Sequence, residues 1–353
     1  MRDRVGGSAA YDRRVQHARF GRREARGVVE VRHDLTGLDT GGFWAVVVTF
    51  EGHITCVRFA EVHDRMPGAG SAHRWQPLTG RWCTSLDATA YQQGVAQVRE
   101  RIAAGEVYQV NLCRVVSHEL DDAADLTALG DLLAHGNPAP YPAVVHVPDA
   151  GLDVVCASPE LFLRREGDRL ESRPIKGTAV TLPDMLPKDY AENVMIADLV
   201  RNDLSLVCRE GTVRVDTLCA PEEHPGLTHL VSTVSGALRD GVTWEQIAQA
   251  TFPPGSVSGA PKSSALRAIR ELETAPRGPY CGAVGWVDAD RGEAELAVGI
   301  RTFWAERDGA GRRWLRFGTG AGITWGSDPL LEWDETRLKA ARLIGLASGK
   351  VNA

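Results

Sequence analysis

Acidic side chains recur at helical spacing in two separate stretches of the sequence. Asp189 and Glu192 lie in one long helical pattern, and Glu332, Glu335 and Lys339 follow at i, i+3 and i+7 in another. Each group alone is typical of a solvated helix face. Together, two helices that each offer carboxylate oxygens could hold one Mg²⁺ and leave places in its shell for water and a substrate carboxylate. No cluster of thiols or histidines suggests a softer metal.

Two further groups could transfer protons or act as a nucleophile. Lys176 lies in residues 172–178, which have a strand–turn–strand pattern. An exposed lysine is the simpler interpretation, but burial near a metal would lower its pKa and make it a usable nucleophile or base. Glu160 ends the sequence Ser-Pro-Glu between two apolar strands, where a raised pKa would suit a general acid. The alternative for Glu160 is an ordinary turn at a strand end.

Two glycine-rich segments resemble nucleotide-binding loops but have the wrong spacing. Three residues separate Gly255 from Gly259, and Ala-Pro separates Gly259 from Lys262, whereas a phosphate loop needs four residues and an adjacent lysine. This segment is expected instead to bind an anion such as a carboxylate at a helix N-terminus. In residues 318–323 the third glycine comes one position too early for a dinucleotide fold. A bulged turn is predicted there, with backbone N–H groups available to a carboxylate.

Hydrophobic periodicity predicts many strands, with helices between groups of them. A hairpin is predicted within residues 43–59, around Glu51 and Gly52. Further strands are predicted at 108–116, 143–147, 153–157, 161–165, 212–218, 282–287, 294–303 and 314–318. Helices are predicted at 91–102, 126–135, 188–206, 243–251, 262–272 and 330–347. Because strands come in succession before a helix, the pattern favours an α/β fold of the α+β type with mixed or antiparallel sheets.

The composition of the chain limits its partners. Its 353 residues include 40 Lys and Arg against 46 Asp and Glu, and the resulting charge of −6 argues against nucleic acid as a partner. No apolar run is long enough to cross a membrane, and the first residues lack the apolar segment of a secretory signal. The seven cysteines include no CxxC pair, which indicates reduced thiols. We therefore expect a cytoplasmic enzyme.

The N-terminal part of the sequence is less regular than the rest. Residues 1–40 are predicted to form a partly ordered arm with a strand near 28–31, and residues 60–87 a long surface connection. A break near residue 87 divides the chain into 1–87, a short portion that contributes strands to the same fold, and 88–350, the catalytic domain.

The order and content of these motifs resemble one enzyme family. From about residue 91 onward the sequence resembles the chorismate-utilising enzymes, which include anthranilate synthase component I, aminodeoxychorismate synthase component I, isochorismate synthase and salicylate synthase. The segments that carry the resemblance are GEVYQVNLCR, SPELFL, SRPIKGT, ENVMIADLVRNDL, THLVSTVSG, PPGSVSGAPK, GPYCGAVGW, AVGIRT, GTGAGITWGSDP and EWDET. The resemblance implies two mixed, mostly antiparallel sheets packed as a sandwich with outer helices, and chorismate with Mg²⁺ between the sheets.

The resemblance also implies roles for individual residues. The implied metal ligands are Glu192 and Glu335, with Asp189 and Glu332 in supporting positions. The implied catalytic residues are Glu160, Lys176 and His229. The implied substrate-binding residues are Gln109, Gly177, Thr178, Tyr280, Arg301, Gly320, Ala321, Gly322 and Lys339. Chorismate is a dianion, so an acidic protein needs specific cations and N–H donors of this kind to bind it.

Two positions separate members of the family. Gln109 stands where the water-adding members have a lysine base, so the resemblance implies ammonia as the nucleophile. Lys176 stands where anthranilate synthases have alanine, and Pro-Ile-Lys-Gly-Thr matches the aminodeoxychorismate synthases. The implied mechanism is covalent: Lys176 attacks ring C2 while Glu160 protonates the departing C4 hydroxyl, and ammonia then adds at C4 and expels the lysine. Because no glutaminase segment is found, a separate glutamine amidotransferase subunit is expected to supply the ammonia.

Other functions remain open. Anthranilate synthase component I, or an enzyme that makes 2-amino-2-deoxyisochorismate, would use most of the same residues but not Lys176. A catalytically silent chorismate-binding paralogue is a third hypothesis, against which the presence of the complete set of implied catalytic residues argues. The sequence leaves open whether a 4-amino product would serve 4-aminobenzoate and folate synthesis or a secondary-metabolite pathway.

Overall fold

A computed structural model describes residues 16–65, 74–179, 181–224 and 227–351 of the chain. Its strands are β1 (His17–Phe20), β2 (Arg23–Arg32), β3 (Phe43–Val48), β4 (Ile54–Asp64), β5 (Cys83–Thr84), β6 (Gln109–Glu119), β7 (Tyr141–Val147), β8 (Leu152–Ser158), β9 (Leu161–Glu166), β10 (Arg169–Arg173), β11 (Ile175–Ala179), β12 (Arg214–His224), β13 (Leu227–Ala237), β14 (Gly259–Ala260), β15 (Ala283–Asp288), β16 (Glu293–Val298), β17 (Thr302–Arg307) and β18 (Arg313–Ile323). Its helices are α1 (Ala88–Ala103), α2 (Leu126–Gly136), α3 (Pro187–Ser205), α4 (Trp244–Thr251), α5 (Lys262–Leu272) and α6 (Pro329–Ala347). Among these described residues, no helix has the length and apolar character to span a membrane.

The strands form one antiparallel ladder that doubles back on itself. Its spatial order is β12, β13, β10, β9, β16, β15, β3, β4, β2, β1, β7, β8, β17, β18 and β6, with β11 also on β13 and with β5 and β14 also on β6. The largest hydrophobic core contains Val46 and Ala283 from the first half and Val145 and Val154 from the second half. The two halves therefore pack as layers around a common core, as two stacked sheets do.

This architecture confirms the predicted strand-rich fold with mostly antiparallel pairing. The two predicted sheets are connected through β1 and β2, because Ala18 pairs with Ala25 across these strands while β1 also pairs with β7. Residues 16–32 are therefore part of the sheet and not of an arm, which corrects that prediction. Residues 1–15 of the predicted arm, and 66–73 of the predicted surface connection, lie outside the described residues. The division near residue 87 stays a prediction.

Two predicted elements differ from the structure. The predicted strand at 294–303 is two strands, β16 and β17, because the backbone turns sharply at Arg301, whose φ of 52° lies in the left-handed region. The bulged turn predicted at 318–323 is wrong, since these residues continue β18 and pair with β6 up to Ile323. Pairing along the full ladder outweighs the turn preference of the glycines.

Helices α3 and α6 carry the acidic residues and begin with defined caps. The Asp328 carboxylate accepts hydrogen bonds from the backbone N–H groups of Leu330 and Leu331 at 2.9 and 3.1 Å, and Pro329 occupies the first turn of α6. In the first turn of α3, Asp189 accepts from the N–H of Leu186 at 2.8 Å. These caps fix where each helix begins and therefore which way its acidic side chains point.

Candidate active site

The glycines of β18 leave room for three of the predicted site residues on one face of the sheet. A Cβ at Gly318 would lie 2.0 Å from Cγ of Tyr280. A Cβ at Gly322 would lie 2.3 Å from Nε2 of Gln109 and 3.3 Å from Nζ of Lys176. Alternate residues of a strand face the same side, so these glycines expose a continuous stretch of bare backbone under these groups. We call this stretch the floor.

Next to this floor, the same strand has an edge that pairs with no other strand among the described residues. The ladder between β17 and β18 ends at Phe317, whereas pairing with β6 continues to Ile323. Beyond Phe317, the carbonyl of Gly320 accepts a hydrogen bond from Nζ of Lys339 at 3.1 Å. The N–H and C=O of one residue in an antiparallel strand point to the same side, so the Gly320 N–H also faces the open edge.

Gly322 presents its N–H in the same direction. Its partner Asn111 donates its own N–H to the carbonyl of Ser258 at 2.9 Å, away from β18. The pair of Asn111 and Gly322 is therefore of the non-hydrogen-bonded kind, and Ala321 between the two glycines faces β6 instead. Of the three predicted backbone donors, Gly320 and Gly322 are placed to meet a carboxylate.

Lys176 lies on β11 among charges from several elements. Burial lowers the pKa of its ammonium group, and the nearby charge of Lys339 lowers it further. The carboxylates of Glu192, Glu160 and Glu335 act in the opposite direction. The structure therefore brings the predicted nucleophile, the predicted acid and two predicted metal ligands into one electrostatic environment, which sequence spacing alone could not establish.

Glu160 occupies the tight connection between β8 and β9 and is 4% exposed. Its backbone N–H donates to Oγ of Ser158 at 3.1 Å. Burial raises the pKa of its carboxyl to about 7, although the Ser256 hydroxyl, the Lys176 charge and the Ile175 N–H each lower it. A carboxyl with a pKa near neutrality suits a general acid, as the sequence predicts.

On α3, Glu192 and Asp189 have different surroundings. Asp189 uses one carboxylate oxygen to cap its own helix at Leu186. Burial raises the pKa of Glu192, and the charges of Asp189 and Glu335 raise it further, against the lowering effect of Lys176. Glu192 is thus a half-buried carboxylate that feels a second carboxylate from α6.

On α6, Glu335 and Glu332 also differ. Burial would raise the pKa of Glu335, but the Lys339 ammonium 2.6 Å from Oε1 keeps it below its ordinary value. Burial raises the pKa of Glu332, whose Oε1 accepts from the Ser327 hydroxyl at 2.6 Å. Glu332 is therefore held by the Ser327 hydroxyl just before its own helix. Glu335 instead lies near the charge of Lys176.

The predicted Mg²⁺ site can be tested against this donor set. Among the described ranges, no group of three or more His, Cys, Asp and Glu side chains is placed to hold a metal. Mg²⁺, however, is usually held in proteins by one or two carboxylates together with waters and substrate oxygens. Glu192 and Glu335 fit that requirement, because they are two carboxylates from different helices, α3 and α6. They lie close enough for the charge of Glu335 to raise the pKa of Glu192. Metal binding itself stays a prediction.

Arg301 and Tyr280 are the predicted partners of a substrate carboxylate. Burial lowers the pKa of the Arg301 guanidinium, which forms no hydrogen bond or ion pair with the residues that the structure describes. Its backbone carbonyl accepts from the N–H of Ala157 at 3.1 Å and fixes the turn before β17. Burial raises the pKa of Tyr280, so its hydroxyl stays protonated, with the Cys113 thiol 3.7 Å away. A half-buried guanidinium with no counterion among the described residues is suited to an anion.

The remaining predicted residues lie on β11 and β13. His229 is buried on β13, and its backbone pairs with Thr178, whose side chain lies outside what the structure describes. Gly177 has a φ of 86°, and a Cβ there would lie 2.9 Å from Cβ of Asp189. A glycine is therefore needed for β11 to pass close to the start of α3.

The anion site predicted at the start of α5 is not supported. Nζ of Lys262 is 2.8 Å from the Asp203 carboxylate and donates to the Thr251 carbonyl at 3.3 Å, so its charge is already paired inside the protein. The same segment instead supplies Ser256, which reaches Glu160. Sequence reasoning missed Ser256 because nothing in its spacing from Lys262 indicates which strand it meets.

Asn193 is a second residue that sequence reasoning missed. It is 1% exposed and shares the buried face of α3 with Ile196, Ala197 and Val200. These positions follow the spacing i, i+3, i+4 and i+7 of a core-facing stripe. A polar residue at the head of that stripe was the available signal.

Comparisons with known proteins identify the family of the chain. Residues 56–345 match the family of chorismate binding enzymes. The chain is 34% identical over 287 residues to aminodeoxychorismate synthase component 1 of Bacillus subtilis, covering 78% of this chain and 59% of that protein. It is 38% identical over 279 residues to anthranilate synthase component 1 of Streptomyces coelicolor, covering 75% and 53%. The chain thus spans little more than half the length of these relatives.

Solved structures share the fold. Anthranilate synthase component I of Streptococcus pneumoniae superposes with a TM-score of 0.75 at 21% identity, covering 97% of this chain and 95% of that chain. The menaquinone-specific isochorismate synthase of Escherichia coli superposes with a TM-score of 0.77 at 19% identity, covering 96% and 92%. The family match and the two relatives above 30% identity lead to one conclusion: the chain belongs to the chorismate binding enzymes.

Proposed function

We propose that this chain is the synthase component that converts chorismate and ammonia to 4-amino-4-deoxychorismate. The observation that carries the proposal is the environment of Lys176, a lysine of lowered pKa that senses the charge of a buried Glu160 whose own pKa is about 7. A lysine whose pKa is lowered by burial and a carboxyl whose pKa is about 7 suit the nucleophile and the acid that a covalent route requires.

Chorismate would bind through its two carboxylates. The Arg301 guanidinium, the Tyr280 hydroxyl and the N–H groups of Gly320 and Gly322 are the proposed partners of the enolpyruvyl carboxylate. Lys339 would meet the ring carboxylate, and Glu192 and Glu335 would hold a Mg²⁺ whose charge neutralises that group. These donors compensate a dianion in a protein of net charge −6.

The proposed reaction proceeds in two displacements. The neutral Lys176 amine forms a bond to ring C2, both ring double bonds shift along the ring toward C4, and the C4 hydroxyl departs as water with the proton of Glu160. Ammonia then forms a bond to C4, both double bonds shift back, and the C2–N bond breaks so that its electron pair returns to Lys176. One proton of the new C4 ammonium returns to Glu160. The sum is chorismate plus ammonia to aminodeoxychorismate plus water.

Gln109 supports ammonia as the second nucleophile. Its side chain is 2% exposed and touches Gly322 on the floor of the site, and its Oε1 has no hydrogen-bond partner in the described part of the chain. A neutral amide oxygen can accept a hydrogen bond from ammonia but cannot deprotonate water as a lysine base would. His229, which corresponds to the active-site histidine of the family, would lie beside the ring from β13.

The ammonia would come from another protein. The relatives are named component 1, and we propose that a glutamine amidotransferase subunit delivers ammonia to this chain as well. Free ammonium salts would replace that subunit in an assay with the isolated chain.

A second candidate is anthranilate synthase component I. The identity to the Streptomyces coelicolor anthranilate synthase, 38%, exceeds the 34% to the Bacillus subtilis aminodeoxychorismate synthase. Lys176 is the residue that favours the first candidate, because its position on the floor beside Gly322 gives it access to the ring.

One incubation distinguishes the candidates. The chain is mixed with chorismate, Mg²⁺ and ammonium at pH 7, and products are separated with and without an added aminodeoxychorismate lyase. We expect 4-aminobenzoate only when the lyase is present. Fluorescent anthranilate formed without the lyase would establish the second candidate, and no consumption of chorismate would indicate a catalytically silent protein.

A further inference from the structure

The strand that carries Lys176 contains a bulge at that residue. In the ladder between β11 and β13, Ile175 pairs with Val231 and Thr178 pairs with His229. The register shifts between these pairs, so Lys176 and Gly177 together stand opposite a single residue of β13. Bulges disrupt a ladder locally and re-aim side chains, and they are frequent beside active sites.

The side chain of Asn193 fills the place of the missing ladder bonds. Its Nδ2 donates to the carbonyl of Lys176 at 3.2 Å and to the carbonyl of Leu230 at 2.7 Å, one on each side of the bulge. Its Oδ1 accepts from the hydroxyl of Ser232 and from the thiol of Cys219, the latter at 3.6 Å. Both donors and the acceptor of the amide are therefore used.

The chemistry of the site makes this arrangement specific. A carboxylate at the same position could not donate to the two carbonyls, and an alanine would leave both without this hydrogen bond. Asn193 also directly follows Glu192 on α3, so the same amide ties the helix of a predicted metal ligand to the strand of the predicted nucleophile.

We propose that Asn193 is a positioning residue that holds the bulge at Lys176 and thereby aims the lysine at the substrate. This role rests on the proposed function only through the use made of Lys176. The holding of the bulge is a property of the free protein and can be measured without substrate.

The test compares Asn193→Ala and Asn193→Asp with the wild-type chain and with Asn202→Ala, an exposed asparagine on the same helix. Hydrogen–deuterium exchange is followed in residues 174–179 and in the distant ladder of β15 and β16. We expect faster exchange at 174–179 in both Asn193 variants, no change in β15 and β16, and wild-type behaviour for Asn202→Ala. Unchanged exchange at 174–179 in a folded Asn193 variant would overturn the proposal.

Chorismate consumption gives a second measurement that does not depend on which product forms. We expect kcat to fall about 10- to 100-fold in both Asn193 variants, as for residues that orient a catalytic group, with the KM for chorismate changed less than about threefold. A kcat within twofold of wild type would also overturn the role. If wild-type protein consumes no chorismate, the proposed function fails and the exchange experiment still decides on Asn193.

If the Asn193 variants do not fold, Ser232→Ala replaces them. It removes one hydrogen bond to Oδ1 and also the bond that the Ser232 hydroxyl accepts from the Cys219 N–H at 3.0 Å, and it leaves both donated bonds in place. We expect a smaller increase in exchange at residues 174–179, together with a direct increase at the Cys219 N–H, and no change in β15 and β16. An increase spread over all strands, or none, would contradict a local positioning role.

Discussion

The carboxyl of Glu160 links the stability of the protein to pH. Its pKa is about 7 in the fold, against 4.5 for an ordinary glutamate, because burial penalises the charged form. The unfolded chain therefore ionises at a pH where the folded chain stays protonated. The contribution of Glu160 to the free energy of unfolding is fully present below about pH 4.5. It decreases by about 3 kcal/mol as the pH rises to about 7.

We expect Glu160→Gln to remove that loss. Urea unfolding at pH 5 and pH 8 should show that the variant gains stability relative to wild type at pH 8 but not at pH 5, because the amide carries no charge to bury. The exposed Glu166→Gln should show no such difference between the two pH values. Equal effects of Glu160→Gln at both pH values would argue against the raised pKa. The turnover of chorismate by Glu160→Gln should fall by about 10²- to 10⁴-fold, because the variant lacks the proposed general acid.

In the proposed reaction, Lys176 is the residue on which the choice of product depends. We expect Lys176→Ala to abolish aminodeoxychorismate formation, since no other amine would form the bond to ring C2. The lyase-coupled assay measures this loss, and Lys350→Ala, at an exposed position beyond the end of α6, is the control. Retention of full activity by Lys176→Ala would refute the covalent route. It would not contradict the proposed binding of chorismate.

At the scale of elements, β18 combines a floor without side chains and an open edge. A methyl group at Gly322 would collide with the Gln109 amide at 2.3 Å and crowd Lys176. We expect Gly322→Ala to destabilise the fold by about 1–3 kcal/mol, as overpacking does, and to lower kcat as well. Gly309→Ala is the matched control, because a Cβ there meets nothing within 4 Å. A Gly322→Ala variant with normal turnover would show that the floor need not be flat.

The elements also show which features the sequence could predict. Helix α5 was predicted with its observed bounds, because its apolar spacing agrees with its buried residues Ala265, Ala268 and Ile269. The end of β18 could not be predicted in this way, because its glycines favour a turn locally and only pairing with β6 makes them a strand. Local preference decides an element when no distant strand competes for it.

The same distinction applies to the site. Glu160, Lys176 and the acidic residues could be named from motifs, because their own types carry the chemistry. Ser256 and Asn193 could not, because their roles depend on partners elsewhere in the chain: Ser256 meets Glu160, and Asn193 meets Lys176 and Leu230. Spacing along one element contains no information about such contacts.

For the molecule as a whole, β1 and β2 connect the two layers into one ladder. Ala25 is fully buried and pairs with Ala18 on one side and with Val62 on the other. We expect Ala25→Asp to destabilise the protein by several kcal/mol, about 3 or more, because an unpaired charge would enter the common core. Urea unfolding followed by tryptophan fluorescence measures the loss.

Val29→Asp is the control for that prediction, because Val29 lies on the same strand and is 51% exposed. It should unfold close to the wild-type midpoint. If Ala25→Asp did the same, the connection through β1 and β2 would not contribute to the stability of the layers.

The open edge of β18 has a consequence for self-association. A free strand edge can recruit a strand from another chain and begin aggregation, and proteins commonly block such edges with a lysine. Here Lys339 binds the Gly320 carbonyl on that edge, and α6 packs against the strand. A second polypeptide would have to displace both, whereas a small carboxylate needs only the exposed N–H groups. The edge that is open to a ligand is therefore closed to aggregation.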